Sequence, residues 1–207
     1  MHRRTGGPRG SPGAAPGNPR GQSMVEFALV VPIFLLLIIG LMEFSVAFHA
    51  LLGINFASRD AALLAAEAAS DSGADCVILE SIESDVSVPA DDTSIEEVRI
   101  YWATDTGGVM PGNPVNVYVR AGSTTCSLPD GVSMTVPYSL VGAAGYPEDM
   151  RCDVLAGCGG AHDTVDTIGV QITYRHDWVT PLASILTLGG TGFEFTHSNA
   201  MRMEPSL

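Results

Sequence analysis

Three kinds of side chain in this sequence could do chemistry. The first is a lone acid at the edge of an oily run. Glu26 precedes Phe27 to Met42, sixteen residues without a charge, and Glu43 closes the run. A carboxylate placed in lipid is expensive to keep ionised, so an acid in that position is a candidate for a specific partner. The second kind is sulfur. Cys76, Cys126, Cys152 and Cys158 all follow the apolar run, and four cysteines allow three pairings that sequence does not choose among. The spacer Asp-Val-Leu-Ala-Gly suits a short closed loop, which leans towards Cys152 with Cys158 and leaves Cys76 with Cys126. The third kind is imidazole beside carboxylate: His162 with Asp163, His176 with Asp177, and Glu194 three residues before His197. None of these has the spacing of a metal-protease helix or a nucleophile elbow, and His49 lies in the helical stretch after the oily run. We therefore expect no enzyme and no catalytic residue.

Metal sites fare no better. Cys152, Cys158 and His162 could be imagined around zinc, yet zinc sites show close cysteine pairs and need a fourth ligand that has no obvious source. A disulfide is the stronger reading for an exported domain. Asp91-Asp92 and the acids between Asp71 and Asp75 offer oxygens that calcium favours, without the spacing of a calcium loop. They read as solvated acidic loops, so no metal and no cofactor is expected.

The elements that must position these groups follow from composition. The chain has 207 residues and a formal net charge of -13, with ten Arg and no Lys. Arg3, Arg4, Arg9 and Arg20 precede Gln22 and no acid does, so a cut before Gln22 would leave 23 acids against six Arg, a net of -17. Such a body repels nucleic acid, which excludes that class of partner. Residues 1–21 are Gly, Pro and Arg with little to bury, and read as a basic disordered leader.

Residues 22–70 read as one transmembrane and stalk helix. The charge-free run is a little short of the ~20 residues that cross a hydrocarbon core, and reaches that length when Val25 and Phe44 to Ala47 are added. The basic leader predicts a cytoplasmic amino terminus and a body beyond the membrane. Pro32, with Gly40, is a candidate bend. The Ala-rich stretch Ala57 to Ala69 suits close packing, either into a filament or onto the chain's own domain.

Asp71-Ser72-Gly73 ends the helix, and residues 71–207 read as an exported α+β domain. Cys76 to Ser84 suits a short helix. Alternation predicts strands in which Val98, Ile100 and Trp102 share a face, as do Val115, Val117 and Val119, then Ile168, Val170, Ile172 and Tyr174, and more weakly Phe193, Phe195 and His197. Thr180-Pro181 opens a predicted short helix through Leu182, Ile185 and Leu186, stopped by Gly189-Gly190. Residues 124–164 are Gly-rich, with Pro129, Pro137 and Pro147 interrupting any long element.

The window Arg20-Gly21-Gln22-Ser23-Met24-Val25-Glu26-Phe27-Ala28-Leu29-Val30-Val31-Pro32 closely resembles the amino-terminal motif of TadE-like pseudopilins of tight-adherence (Tad) pilus systems. A small residue, a Glu-Phe pair, an oily run and a basic leader coincide there. A weaker likeness continues at the tail, in the strand ending at Tyr174, in Trp178 to Leu188 and in Ala200 to Glu204. Residues 75–165 resemble nothing we can name. The resemblance implies a pilin-like fold, a long helix followed by a small domain with an antiparallel sheet. It implies cleavage by a prepilin peptidase between Gly21 and Gln22, which makes Glu26 the fifth mature residue with Phe27 after it. It also implies a role for Glu26: pairing with the new terminal ammonium of a neighbouring subunit.

The expected function is thus a minor pilin or pseudopilin, packed by its helix into or beneath a pilus. Its partners would be the membrane, the prepilin peptidase, other pilin or pseudopilin subunits and the Tad assembly platform. It would sit in the inner membrane as a single-pass protein with its domain outside. The rival expectation is an uncleaved, single-span anchored extracellular binding domain.

Overall fold

The computed structural model describes residues 19–204, except 69, 87–90, 113, 156, 159–161, 182–189 and 191. The expected leader up to residue 18, and the helix predicted after Pro181, lie outside the described residues. The chain divides into two compact units, Met1–Ile39 and Gly40–Leu207.

One helix, α1 (Pro19–Ala68), supplies the described part of the first unit and continues into the second. It begins three residues before the Gln22 boundary drawn from sequence, because proline is well tolerated in a helix's first turn, where its missing N–H has no intrahelical partner to lose. Residues 19–21 are therefore helical. Pro32 lies inside α1 without ending it, although it gives no N–H to the helical ladder. In the first unit Phe27, Leu29, Ile33, Phe34 and Leu37 are all exposed.

The second unit is α+β. After α1, Gly73 adopts φ +81° and opens α2 (Ala74–Asp85). Among the described residues seven strands follow: β1 (Ile95–Ala103), β2 (Val115–Val119), β3 (Thr124–Ser127), β4 (Ser133–Val136), β5 (Ser139–Leu140), β6 (Thr167–Asp177) and β7 (Gly192–Arg202). Five form one antiparallel sheet in the order β5-β2-β1-β6-β7, and β3-β4 form a separate hairpin. That hairpin, in the Gly-rich middle, was not foreseen, because four-residue strands are too short to display a period.

The core lies on one face of the sheet. Val98 and Ile100 from β1, with Ile168, Val170 and Ile172 from β6, are fully buried there. Against them pack Ile78, Leu79 and Ile82 of α2, together with Ala50, Ile54, Ala57, Ala61 and Ala65 of α1. The alanines thus serve the domain's own core, since a side chain of one carbon lets the helix backbone approach the sheet. The outward side of the same stretch keeps Phe56 and Leu63 exposed.

One strand faces the opposite way from its apolar pattern. In β2 the register sets Tyr118 opposite Val98 and Asn116 opposite Ile100, so the polar residues point into the main core. Val115 and Val117 instead join Tyr101, Ala103 and Ala200 in a small cluster apart from it. The reason is electrostatic. Asp75 Oδ2 accepts hydrogen bonds from Asn116 Nδ2 at 2.8 Å and Tyr118 Oη at 2.7 Å, while its other oxygen is paired with the fully buried Arg151. A buried ion pair needs its remaining lone pairs satisfied, and β2 supplies those donors. Burial, and then the neighbouring Asp75, push the Tyr118 hydroxyl well above the usual tyrosine range. Gly169, opposite Tyr101, is required by space: a Cβ there would lie 2.3 Å from the Tyr101 ring.

Candidate functional site

The apolar helix carries the residues singled out by sequence. Gly21 and Gln22 lie within its first turns, both exposed, and a Cβ built on Gly21 meets no atom within 4 Å. Gln22 Nε2 donates to Glu26 Oε1 at 3.0 Å, one turn along the helix, and both side chains are exposed. Phe27 beside it is 69 % exposed. An exposed carboxylate thus stands at the start of an oily stretch, and among the described residues its hydrogen-bond donor is the neutral amide of Gln22. Length and composition suit the helix to crossing a membrane, and its most apolar window has no buried residue. This single amino-terminal apolar helix suggests a single-pass membrane anchor.

Glu43, which in the sequence merely interrupts the oily run, has the opposite environment. It is 3 % exposed. Its Oε1 accepts the Val179 N–H at 2.9 Å and its Oε2 the Thr180 N–H at 2.8 Å. His176 Nε2 lies 3.3 Å from Oε1. Two converging amides and an imidazole are what a buried carboxylate needs to remain tolerable away from water. The residues that provide them stand more than 130 positions later, so no local pattern could disclose the seat. Phe44 to Ala47, which the expected span included, follow this buried carboxylate in α1.

Sulfur is used structurally. Cys76 is bonded to Cys126 and Cys152 to Cys158. The first bond ties α2 to β3, and the second closes the short loop after Arg151. Both candidate thiol ligands for zinc are thereby consumed. His162 is occupied elsewhere: its Nδ1 lies 2.7 Å from Asp166 Oδ1, and its ring stacks on Trp102 with centroids 3.7 Å apart. Asp166 also accepts from Tyr146 Oη at 2.8 Å and from the Cys152 N–H at 3.1 Å. The His-Asp contact that forms is therefore with Asp166, not with the adjacent Asp163, and it braces the disulfide loop.

Three of the acids weighed for calcium, Asp75, Asp91 and Asp92, also have protein partners. Asp92 pairs with Arg120 at 2.9 Å, and Arg120 in turn binds Glu83, which accepts from Tyr138 Oη at 2.5 Å. Burial raises the Glu83 carboxyl above the usual range despite its contacts with Arg120 and Tyr138. Asp91 accepts the Thr93 N–H as the cap of a single turn. Among the described residues no cluster of three His, Cys, Asp or Glu could hold a metal ion. A cavity of about 340 Å³ lies beside Asp75, Asn116, Tyr118 and Glu148. Glu148 spends both oxygens on the Gly73 and Asp75 N–H groups.

With this geometry in hand, comparison with known proteins gives one match. Residues 21–63 match the family described as TadE-like protein. The match begins at Gly21 and runs through the apolar helix into its Ala-rich part. No curated protein and no solved structure matches. The TadE-like segment and the amino-terminal apolar helix fit a membrane-associated, Tad-associated pilin-like protein.

Proposed function

We propose that the chain is a minor pilin or pseudopilin of a tight-adherence pilus system, with a structural role and no catalytic turnover. It is inserted with its basic leader in the cytoplasm and its domain outside. A prepilin peptidase cuts between Gly21 and Gln22, and α1 then packs beside the helices of other subunits, in or beneath the pilus. The observation carrying this reading is a coincidence in one place: the TadE-like match starts at Gly21, where α1 opens a largely exposed apolar stretch in which Glu26 is the one acid before Glu43.

The chemistry of the cut explains the acid. Cleavage would turn the Gln22 nitrogen into an ammonium about one helical turn from Glu26. Two such helices, staggered along their axes, could pair one subunit's ammonium with the next subunit's carboxylate. That exchange would replace the neutral Gln22 contact with a charge-assisted one. An elaborate domain of this size differs from the very short major pilin of these systems, which favours a minor position.

Intact mass of the protein taken from its native membrane tests the reading. The expected mass lacks residues 1–21 and reverts to full length when the peptidase is removed. A functioning protein that keeps its leader would refute it. Replacing Gly21 with leucine is a clean companion test, because open space surrounds that position in the fold. Loss of trimming would then report on the peptidase and not on folding.

A further inference from the structure

The loop that grips Glu43 carries more than its two amides. β6 ends at Asp177, and Trp178 and Val179 follow directly; β7 then begins at Gly192 with Phe193 next. Rings line up toward this end of the sheet: Tyr174 with Phe195 at 5.1 Å, Phe195 with Phe193 at 6.1 Å, and Phe193 with Trp178 at 5.7 Å. Among the described residues, this end keeps apolar side chains exposed. Val179 is 67 % exposed and Phe193 41 %, and on α1 the residue after Glu43, Phe44, is 68 % exposed. Charges stand beside them: Arg175 bonds Asp177 at 3.2 Å, with Glu194 next to Phe193.

We propose that this rim of Phe44, Trp178, Val179 and Phe193 is a membrane-interface seat, on which the domain rests at the level of lipid headgroups and upper acyl chains. The inference rests on reading α1 as a membrane anchor. Its first support is chain continuity: Glu43 is the residue immediately after the charge-free run, and the loop bearing Trp178 and Val179 is hydrogen-bonded to it. Whatever leaves the bilayer at Met42 is taken up at once by this loop. The second support is composition, for aromatic rings with polar neighbours are the side chains that concentrate at membrane–water boundaries. Glu43 acts here as a positioning residue. Its carboxylate holds the loop that carries Trp178 and Val179.

The full chain, reconstituted into phosphatidylcholine vesicles containing lipids brominated high on the acyl chain, provides the test. The chain has two tryptophans, Trp102 and Trp178. In Trp102→Phe, the remaining Trp178 should lose at least about half its fluorescence to brominated lipid, as expected for a ring at the boundary. In Trp178→Phe, the remaining Trp102 should lose little. If Trp102→Phe does not fold, subtracting the Trp178→Phe signal from that of the unaltered protein yields the same quantity. Equal, weak quenching of both tryptophans in protein that floats with the vesicles overturns the seat while leaving the anchor standing. Protein that does not float overturns both. Shielding of Trp178 from aqueous quenchers that develops only on adding other pilin-like subunits would assign the rim to a protein contact, and would overturn the proposal too. Glu43→Ala should loosen the seat, lowering the Trp178 quenching with α1 still inserted; unchanged quenching removes Glu43 from the positioning role.

Discussion

Glu26 and Glu43 are the same residue seventeen positions apart on one helix, and they could hardly be treated more differently. Glu26 is exposed, with one contact from the neutral amide of Gln22. Glu43 is buried and held by two backbone N–H groups beside an imidazole. The difference extends to the regions around them. From residue 21 to 39 most apolar side chains are exposed and none is buried, whereas from Ala50 to Ala66 a small-residue face is buried in a core. A side chain exposed in the isolated chain can contribute to an assembly without cost to the fold. A seated one is part of the fold itself. The first region should therefore be sensitive in assembly and silent in stability, and the second the reverse.

The sharpest way to break that comparison is Glu26→Ala. Piliation should be lost, trimming after Gly21 should persist, and the domain's melting temperature in detergent should stay within about 1 °C, as for a surface change. Normal piliation would remove Glu26 from assembly. A large fall in melting temperature would show that Glu26 belongs to the fold.

Within the second region, the two disulfides should separate by loop length. Cys76 and Cys126 are 50 residues apart and Cys152 and Cys158 only 6. In the chain-entropy account their removal costs about 4 and about 2 kcal/mol respectively. Denaturant unfolding of the two double-alanine variants measures both, and equal losses would mean that loop closure is not what matters.

Glu43→Ala should cost about 2–4 kcal/mol, because it strands the N–H groups of Val179 and Thr180 and leaves His176 without its partner. Glu43→Gln keeps an acceptor and should recover part of the loss. A change below about 0.5 kcal/mol for the alanine variant would make the two glutamates alike and dissolve the comparison.

The smallest effect should come from Asp85, at the end of α2. Burial, and then the charge of Asp60 on α1, raise its carboxyl above the usual aspartate range. A folded-state pKa above the unfolded one means that ionisation is penalised on folding, so stability falls as pH rises through that window. Asp85→Asn should thus stabilise at neutral pH by at most about 1 kcal/mol, given partial exposure, with the gain vanishing below about pH 3.8. A gain that persists undiminished at lower pH would assign the effect to something other than charge.

Local pattern decided a good deal here. Sixteen uncharged residues suit a helix, which satisfies its backbone groups within the segment, and an unbroken run to Ala68 extends it. The period-two stretches of β1 and β6 declared both their strands and their buried faces, because sheet geometry ties alternation to sidedness. The motif around Gly21 and Glu26 was legible too, since a short window contains all of its parts. What local pattern could not decide was where polar groups go once the chain closes on itself. β2 alternates as cleanly as β6, yet its valines face away from the main core, because Asp75 and Arg151 need Asn116 and Tyr118 inside. Glu43 looked like a blemish in an oily run until residues 176–180 returned to surround it. Apolar periodicity is written residue by residue, whereas the fate of a buried charge depends on donors that arrive from distant parts of the chain. Only the closed fold brings them together.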